Sequence, residues 1–277
     1  MILIIESGST KTEWIVTYNR EVLHQAFTDG INPLMQAEDS IEGMIKQQLP
    51  ALFFDCAYSY IYYYGAGCVS DSIKQAIQTL LLRLFNSPSA VDTDLVAAAR
   101  GLLQNDAGIA CVLGTGSNSC FYDGQNIVKN VRPLGYILGD EGSGSVLGKM
   151  FLGDCLKGLA PENITADFFA KYGLSYEELI SRIYKEPYPN RFMAQLSRFL
   201  AEHINDHYVH ELIYKNFELF FARCIRQYNY KDYPLAFSGS IAYYYKEILI
   251  EVATGFGTTI NKIVKSPTAG LIEYHRR

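Results

Sequence analysis

The sequence predicts a two-domain α/β protein, and three observations support this prediction. The chain has 277 residues, 49% of them hydrophobic, which exceeds the usual size of a single hydrophobic core. Segments with strand and helix patterns follow in the order β-β-β-α-β-α-β-α over residues 1 to 104. A strand, a small-residue turn and a returning strand then begin again at Ile109. We therefore expect domains at 1–107 and 108–277, with the last helix able to pack back on the first domain.

The first strand, Ile2–Ile5, runs into a turn whose composition suits an anion. Its sequence is Glu6-Ser7-Gly8-Ser9-Thr10-Lys11-Thr12. Gly8 lets the backbone approach a ligand closely, the hydroxyls add donors, and Lys11 adds a positive charge. Polyphosphate is the natural candidate, and Glu6 can hold a hydrated Mg²⁺ beside it. A hairpin turn that is merely rich in serine and threonine remains the alternative.

The rest of the first half alternates strands and helices. Pro33 forces Asn32 into an extended conformation within the loop 29–33. Gly65-Ala66-Gly67 closes an aromatic strand, and Asp94 ends a short one. The predicted strands are 14–18, 21–27, 59–64 and 90–94, and the predicted helices are 38–49, 70–85 and 95–104.

The second half of the chain repeats the pattern of apolar strand, small-residue turn and returning strand. Strand 109–113 leads into Gly114-Thr115-Gly116-Ser117-Asn118, followed by strands 119–122 and 126–131 around an Asp123-Gly124 hairpin turn. Two such turns facing each other would clamp one phosphate chain between the two domains. Chance glycine- and serine-rich hairpins are the alternative.

The remaining segments are mostly helical. A glycine-rich approach over residues 135–145, which includes Gly139-Asp140-Glu141-Gly142-Ser143, leads into a helix from about 144 to 157. Several helices fill 163–230. Strand 233–237 then leads into a third small-residue turn, Ser238-Gly239-Ser240, which opens a helix to about residue 253. A strand at 258–264 and a helix at 267–275 close the chain.

Composition excludes several classes of function. The formal charge of −5 and the lack of clustered Lys and Arg argue against nucleic acid as a partner. No window has the roughly 18 uncharged apolar residues of a membrane span, and no leader pattern is present, so we expect a cytoplasmic protein. The six cysteines form no C-x-x-C pair, which predicts reduced core residues.

One histidine group is a candidate metal pair. His203 and His207 have the i, i+4 spacing of one helix face, and His210 follows them. The stretch does not match H-E-x-x-H and shows no fourth ligand, so a solvated helix face is the better interpretation and no metal is assigned there.

Taken together, these motifs resemble those of a known superfamily. The turns at 6–12, 114–118 and 238–240 look like the phosphate-1, phosphate-2 and adenosine motifs of the sugar kinase, Hsp70 and actin superfamily. With Gly139–Ser143 and the closing Ser266-Pro267-Thr268-Ala269-Gly270, the chain resembles the BadF/BadG/BcrA/BcrD ATPase family, in which N-acetylglucosamine kinases are the most similar group. The resemblance implies two ribonuclease H-like (actin-like ATPase) domains with an interdomain cleft, the second domain being rich in helices.

The resemblance also implies a kinase that transfers phosphate from ATP, with Mg²⁺, to the primary (6-) hydroxyl of N-acetylglucosamine or a related amino sugar. Asp94 falls on the catalytic aspartate, and Glu6 on the metal position, through water. The residues implied for ATP and phosphate are Gly8, Ser9, Thr10, Lys11, Gly114, Thr115, Gly116, Ser238, Gly239 and Ser240, and those implied for the sugar are Asn32, Asn118, Gly135 and Asp140.

The chain departs from the family pattern at four positions. Glu6 replaces an aspartate, Gly65 a serine that contacts sugar, and Leu34 and Leu134 bulkier aromatic side chains. The departure at Glu6 lengthens the arm to the hydrated metal and keeps its charge, whereas the other three bear on the acetamido preference. A homodimer is left open, as are two other functions. One is an ATPase that activates a dehydratase through an interfacial iron–sulfur cluster, for which no convincing cysteine pair is present. The other is a non-catalytic nucleotide switch.

Overall fold

The computed structural model describes residues 1–8, 10–19 and 21–276 and divides the chain into two compact units. The first consists of Met1–Asn105 together with the segment from Pro267 onward, and the second of Asp106–Ser266. Ser9, for which a phosphate contact is predicted, lies outside the described residues. Among the described residues, no helix is long and apolar enough to cross a bilayer.

The first unit is built on a five-stranded sheet in the order β3-β2-β1-β4-β5. Its elements are β1 (Ile2–Ser7), β2 (Lys11–Tyr18), β3 (Glu21–Asp29), α1 (Glu38–Gln48), α2 (Leu52–Asp55), β4 (Tyr60–Gly65), α3 (Asp71–Phe85), β5 (Ser89–Thr93) and α4 (Asp94–Leu103). Strand β1 pairs antiparallel with β2 and parallel with β4. The carboxyl ends of β1, β4 and β5 therefore meet at one edge of the sheet.

The second unit repeats this topology with more helices. Its sheet order is β10-β9-β6-β7-β8. Its elements are β6 (Gly108–Leu113), β7 (Ser117–Tyr122), β8 (Ile127–Val131), α5 (Gly135–Leu138), α6 (Gly144–Lys157), α7 (Glu162–Tyr172), α8 (Tyr176–Tyr184), α9 (Pro189–Gln195), α10 (Ser197–Glu202), α11 (His207–Arg223), β9 (Leu235–Ser238), α12 (Ser240–Tyr244), α13 (Lys246–Gly255) and β10 (Lys262–Val264). A final helix, α14 (Thr268–Tyr274), belongs to the first unit.

Strand β1 is apolar from Ile2 to Ile5, where both of its faces are covered. Leu3 and Ile5 join the core that contains Trp14, while Ile4 packs on the opposite face with Ala97 of α4. Alternate side chains of a strand point to opposite faces, so burial on both sides requires an unbroken apolar run. The buried core of the second unit is centred on aromatic side chains of α6, α7, α10 and α11.

Helix α14 packs on α4 through two glycines. A Cβ on Gly270 would lie 1.8 Å from the carbonyl oxygen of Gly101, and a Cβ on Gly101 would lie 2.6 Å from that of Pro267. Gln104 Nε2 also donates to the Gly270 carbonyl at 2.9 Å. The closing Pro-Thr-Ala-Gly sequence therefore lets the two helix backbones approach more closely than larger side chains would allow.

Three predicted elements differ from the structure. The predicted helix 241–253 is broken at Tyr245, whose buried side chain donates to the Ser197 carbonyl. The predicted strand 258–264 is only Lys262–Val264, because the Asn261 side chain replaces a ladder bond by accepting from Leu235 N–H. The predicted helix shared by His203 and His207 is wrong, because α10 ends at Glu202 and Asp206 caps α11.

Candidate active site

An acidic cluster lies at the carboxyl end of the first sheet. Glu6 on β1 stands opposite Glu13 on β2, and Asp94 follows β5 on the same edge. Burial, together with the charges of Asp94 and Glu13, raises the pKa of Glu6 from 4.5 to about 8. The positive charge of Lys11 lowers the pKa of Glu6, but by less than the other groups raise it. Without a cation, this edge therefore holds a proton on Glu6 at neutral pH.

Glu13 was not identified from the sequence. Glu13 is 7% exposed, and its carboxylate accepts from Gln25 Nε2 at 2.6 Å and from the Thr268 hydroxyl at 2.7 Å. These bonds fix the carboxylate and attach α14 to the sheet beside Glu6. The signal available in the sequence was an acid directly preceding the apolar run Trp14–Val16.

Asp94 occupies the first position of α4 and is not its N-cap. The cap is Thr93, whose hydroxyl accepts from Val96 N–H at 3.3 Å. Asp94 Oδ1 accepts from Leu95 N–H at 2.9 Å, while burial raises the pKa of the carboxyl group. Asp94 is therefore not needed as the cap of α4, because Thr93 already provides it.

Several polar groups of the first turn form hydrogen bonds within the hairpin instead of facing solvent or a ligand. Gly8 N–H donates to the Lys11 carbonyl at 3.0 Å, and the Thr12 hydroxyl is bonded to Ser7 and to the Asp29 carbonyl. The Lys11 ammonium lies 4.2 Å from the centroid of the Phe27 ring. The N–H of Gly8 and the hydroxyl of Thr12 are therefore both used within the hairpin.

A polar loop lies next to this edge of the sheet. Asn32 Oδ1 accepts from Leu34 N–H at 3.1 Å, and Gln36 Oε1 accepts from Asn32 N–H at 2.7 Å. Residue 67 must be glycine, because its φ is +83° and a Cβ would lie 2.2 Å from Asn32 Oδ1. Asn32 is thereby held against the Gly65–Gly67 turn that follows β4.

In the second unit, the turn after β6 meets the start of α6. Gly114 N–H donates to the Gly116 carbonyl at 2.9 Å, so this group is used within the turn. The Gly114 and Thr115 carbonyls accept from Gly144 and Ser145 N–H at 2.8 and 3.1 Å. These bonds hold the turn at the N-terminus of α6.

The third turn lies against the second. Gly239 has φ +111°, and a Cβ there would lie 2.3 Å from the Leu113 carbonyl oxygen. Gly239 N–H donates to the Val264 carbonyl at 3.1 Å, and Ser240 opens α12. The structure thus brings together two of the predicted nucleotide motifs, Gly114–Gly116 and Ser238–Ser240, within one unit.

Asp140 also lies beside the second turn. A Cβ on Gly116 would lie 3.0 Å from Asp140 Oδ2, and the N–H groups of Ser117 and Gly135 bond to the Asp140 carboxylate. Burial raises the pKa of Asp140 to about 6, against the effect of these hydrogen bonds. Asp140 is therefore mostly ionised at neutral pH and can accept hydrogen bonds from hydroxyl groups.

Two asparagines of the second unit form hydrogen bonds through their side-chain amides. Asn118 lies inside β7, and its Oδ1 accepts from Ser119 N–H at 2.9 Å and from Asn130 Nδ2 at 2.8 Å. Asn216 is fully buried on α11, accepts from Gly142 N–H at 3.0 Å and donates to the Ser143 carbonyl at 3.1 Å. Asn216 therefore fixes the loop after Asp140. Its sequence signal was one amide on an otherwise apolar helix face.

The carboxylates of the first unit fit a hydrated Mg²⁺ better than a closed metal cage. Within the described residues, no group of three or more His, Cys, Asp or Glu is placed to hold a metal. Glu6 and Asp94 are close enough for their charges to interact. Mg²⁺ is commonly held by one or two carboxylates, several waters and substrate phosphates. The histidines considered earlier bond elsewhere, His203 to Asp167 and His210 to Glu251.

Comparison with solved structures gives the fold and the family. No protein-family model matches the chain, and no curated protein matches it by sequence. The Chromobacterium violaceum protein named "Putative N-acetylglucosamine Kinase" aligns with TM-score 0.71 and 18% identity, over 99% of this chain and 98% of that one. A ROK family glucokinase from Streptomyces griseus, in complex with glucose and AMPPNP, aligns with TM-score 0.65 and 14% identity, over 99% and 97%. The predicted fold, that of the two-domain actin-like ATPases, is confirmed.

A third structure is much more similar. The Porphyromonas gingivalis protein named "Putative N-acetylglucosamine Kinase" is 42% identical, with TM-score 0.96, over 100% of this chain and 99% of that one. The chain belongs to the same family as this protein. The narrower assignment to the BadF/BadG family stays a prediction.

Proposed function

We propose that this protein is an ATP-dependent sugar kinase that phosphorylates the primary (6-) hydroxyl of N-acetylglucosamine. The observation that carries the proposal is the placement of Asp94. Its carboxylate stands at the carboxyl end of the sheet beside Glu6, while Thr93 supplies the cap of α4. The kinase names of the similar structures support the same class of reaction.

In this proposal, Asp94 acts as the general base. Burial raises the pKa of its carboxyl group, which makes the carboxylate a better proton acceptor for the sugar hydroxyl as that hydroxyl attacks. The bond from Leu95 N–H fixes Oδ1, so the carboxylate is oriented before substrate arrives. Phosphoryl transfer depends mainly on such positioning and on charge neutralisation.

The nucleotide contacts follow from the turns. The turn at Gly8–Lys11 and the turn at Gly114–Gly116 are proposed to bind phosphates, and the turn at Ser238–Ser240 to bind adenosine. Glu6 would hold Mg²⁺ through water beside Asp94, and the ion would neutralise phosphate charge when bound.

The asparagines favour a neutral sugar that offers hydrogen-bond acceptors. The Oδ1 atoms of Asn32 and Asn118 are already bonded to backbone N–H groups, which fixes the direction of each amide. Within the described residues neither Nδ2 makes a hydrogen bond, so each amide offers donors. Donors suit hydroxyl and acetamido oxygens, whereas a 2-ammonium group has no lone pair to accept with.

We therefore expect N-acetylglucosamine to be phosphorylated with a kcat/KM at least about tenfold higher than glucosamine, equivalent to ~1.4 kcal/mol. A coupled ADP-release assay across glucose, glucosamine, N-acetylglucosamine and N-acetylmannosamine measures this. A preference for glucosamine would overturn the substrate assignment and leave the kinase proposal standing. ATP hydrolysis that no sugar stimulates would overturn both and favour a nucleotide switch.

Gly67→Ala should weaken sugar binding selectively. The new Cβ would collide with Asn32 Oδ1 in a backbone conformation that alanine resists, so the Asn32 amide must move. We expect the KM for sugar to rise about tenfold and the KM for ATP to change little. The matched control is Gly43→Ala, on the exposed face of α1 with no heavy atom within 4 Å of its Cβ. That variant should keep both KM values, and equal effects in the two variants would contradict the prediction.

A further inference from the structure

The hydroxyl group of Tyr63 is buried without a partner. Tyr63 is 1% exposed, and its Oη makes no hydrogen bond to any described residue. The neighbouring Ser7 hydroxyl is already bonded to Thr12 and to the N–H and carbonyl groups of Ile31. An unpaired buried hydroxyl is destabilising, and native proteins keep such groups rarely, so each one requires an explanation such as a catalytic role or a bound water or ion.

The phenol reaches this position because residue 65 has no side chain. Tyr63 and Gly65 lie two residues apart on β4, so a side chain at 65 would point to the same face of the sheet. A Cβ on Gly65 would lie 2.7 Å from Tyr63 Oη and 2.5 Å from Cε1. The Tyr63 ring therefore extends over Gly65 toward the carboxyl end of the strand.

That end of the strand is where the proposed substrate groups of this unit lie. Burial raises the pKa of the Tyr63 hydroxyl and Cys68 adds to this effect, while the nearby Ser7 hydroxyl lowers it. The charges of Asp94 and Glu6 also act on the Tyr63 hydroxyl and raise its pKa. The Gly65–Gly67 turn covers the hydroxyl, and the Asn32 amide presses against the other end of the same turn. Tyr63 and Asn32 thus place two polar groups on either side of a segment that has glycine at both ends.

We propose that Tyr63 is a specificity-determining residue for the sugar, and that its hydroxyl hydrogen-bonds a sugar oxygen when the Gly65–Gly67 turn shifts on binding. This proposal rests on the function proposed above. The ligand class is a neutral sugar, because the hydroxyl stays protonated and both donates and accepts. The shift needs little rearrangement of side chains, since both ends of the turn are glycine.

The test measures the binding of N-acetylglucosamine and of a non-hydrolysable ATP analogue separately, by calorimetry. Tyr63→Phe removes only the hydroxyl. We expect the Kd for the sugar to rise about fivefold or more and the Kd for the nucleotide to stay unchanged. Thermal stability should stay the same or increase, because no hydrogen bond of the free protein is lost.

The control is Tyr58→Phe in the same unit, whose hydroxyl donates to the Phe53 carbonyl at 2.7 Å. This variant should lose stability and keep both Kd values. Gly65→Ala is a second variant, which displaces the Tyr63 ring and should reproduce the selective loss of sugar binding. An unchanged sugar Kd in Tyr63→Phe, or an equal loss for sugar and nucleotide, would overturn the inference. A wild-type protein that binds no sugar would overturn the proposed function, and this inference with it.

Discussion

Asp94→Asn should reduce kcat by about 10³-fold and leave the melting temperature almost unchanged. An asparagine keeps an oxygen that accepts from Leu95 N–H, and Thr93 continues to cap α4. The ability to take a proton is lost together with the negative charge that acts on Glu6. The measurement pairs steady-state turnover with thermal unfolding of the same preparation.

The comparison variant is Thr93→Ala, which removes the cap and keeps the carboxylate. It should lower stability by about 1 kcal/mol. Near-normal turnover in Asp94→Asn would refute the general-base role, and a large fall in its melting temperature would show that the carboxylate serves the helix instead.

Glu6→Gln should change how stability depends on pH. The folded-state pKa of Glu6 is about 8, above the ordinary value of 4.5, so the folded protein holds a proton that the unfolded chain releases. The wild-type protein should therefore lose stability as pH rises from about 4.5 to about 8, by up to a few kcal/mol. Glu6→Gln should lack this loss and be the more stable protein at pH 8.5. Mg²⁺ should restore wild-type stability at that pH and have less effect on the variant.

Glu42→Gln is the matched control, at a carboxyl group whose pKa is lowered in the folded protein instead of raised. Hydrogen bonds from Lys46 and Arg83 hold the pKa of Glu42 below its usual value, so its ionised form is the stabilising one. That variant should show no gain at high pH. Thermal unfolding between pH 5 and pH 9, with and without Mg²⁺, makes the comparison. Parallel profiles for the wild type and Glu6→Gln would refute the buried acidic cluster.

The sheets and the motif positions could be predicted from the sequence because they depend on local patterns. The apolar run Ile2–Ile5 predicts a strand buried on both faces, and the glycines of the turns mark places where the backbone must turn or approach closely. The contacts across long sequence separations could not be predicted. Glu13 is bonded to Thr268 and Asn216 to the loop after Asp140, and no local pattern links the members of either pair.

The predicted element boundaries were wrong where a side chain took the place of a backbone hydrogen-bond partner. The Asn261 amide oxygen accepts from the N–H of Leu235, so the last strand is shorter than predicted. Hydrogen bonds within the turns likewise limit which of their groups can bind an anion. Glycine, serine and threonine predict an anion site, yet the N–H groups of Gly8 and Gly114 and the hydroxyl of Thr12 close the hairpins themselves. Composition indicates which groups are present, and only the folded backbone decides which of them stay available.

The bond between the Thr268 hydroxyl and Glu13 spans 255 positions in the sequence. The first unit is discontinuous along the chain, with every residue of the second unit translated between its two parts. During synthesis, the second unit has all of its segments before α14 has been made. Until then, the Glu13 carboxylate on the first sheet lacks the Thr268 hydroxyl as its hydrogen-bond partner. The acidic edge that contains Glu6 and Asp94 therefore reaches its final form only after the ribosome has passed Thr268, which makes it a late-assembled part of the molecule.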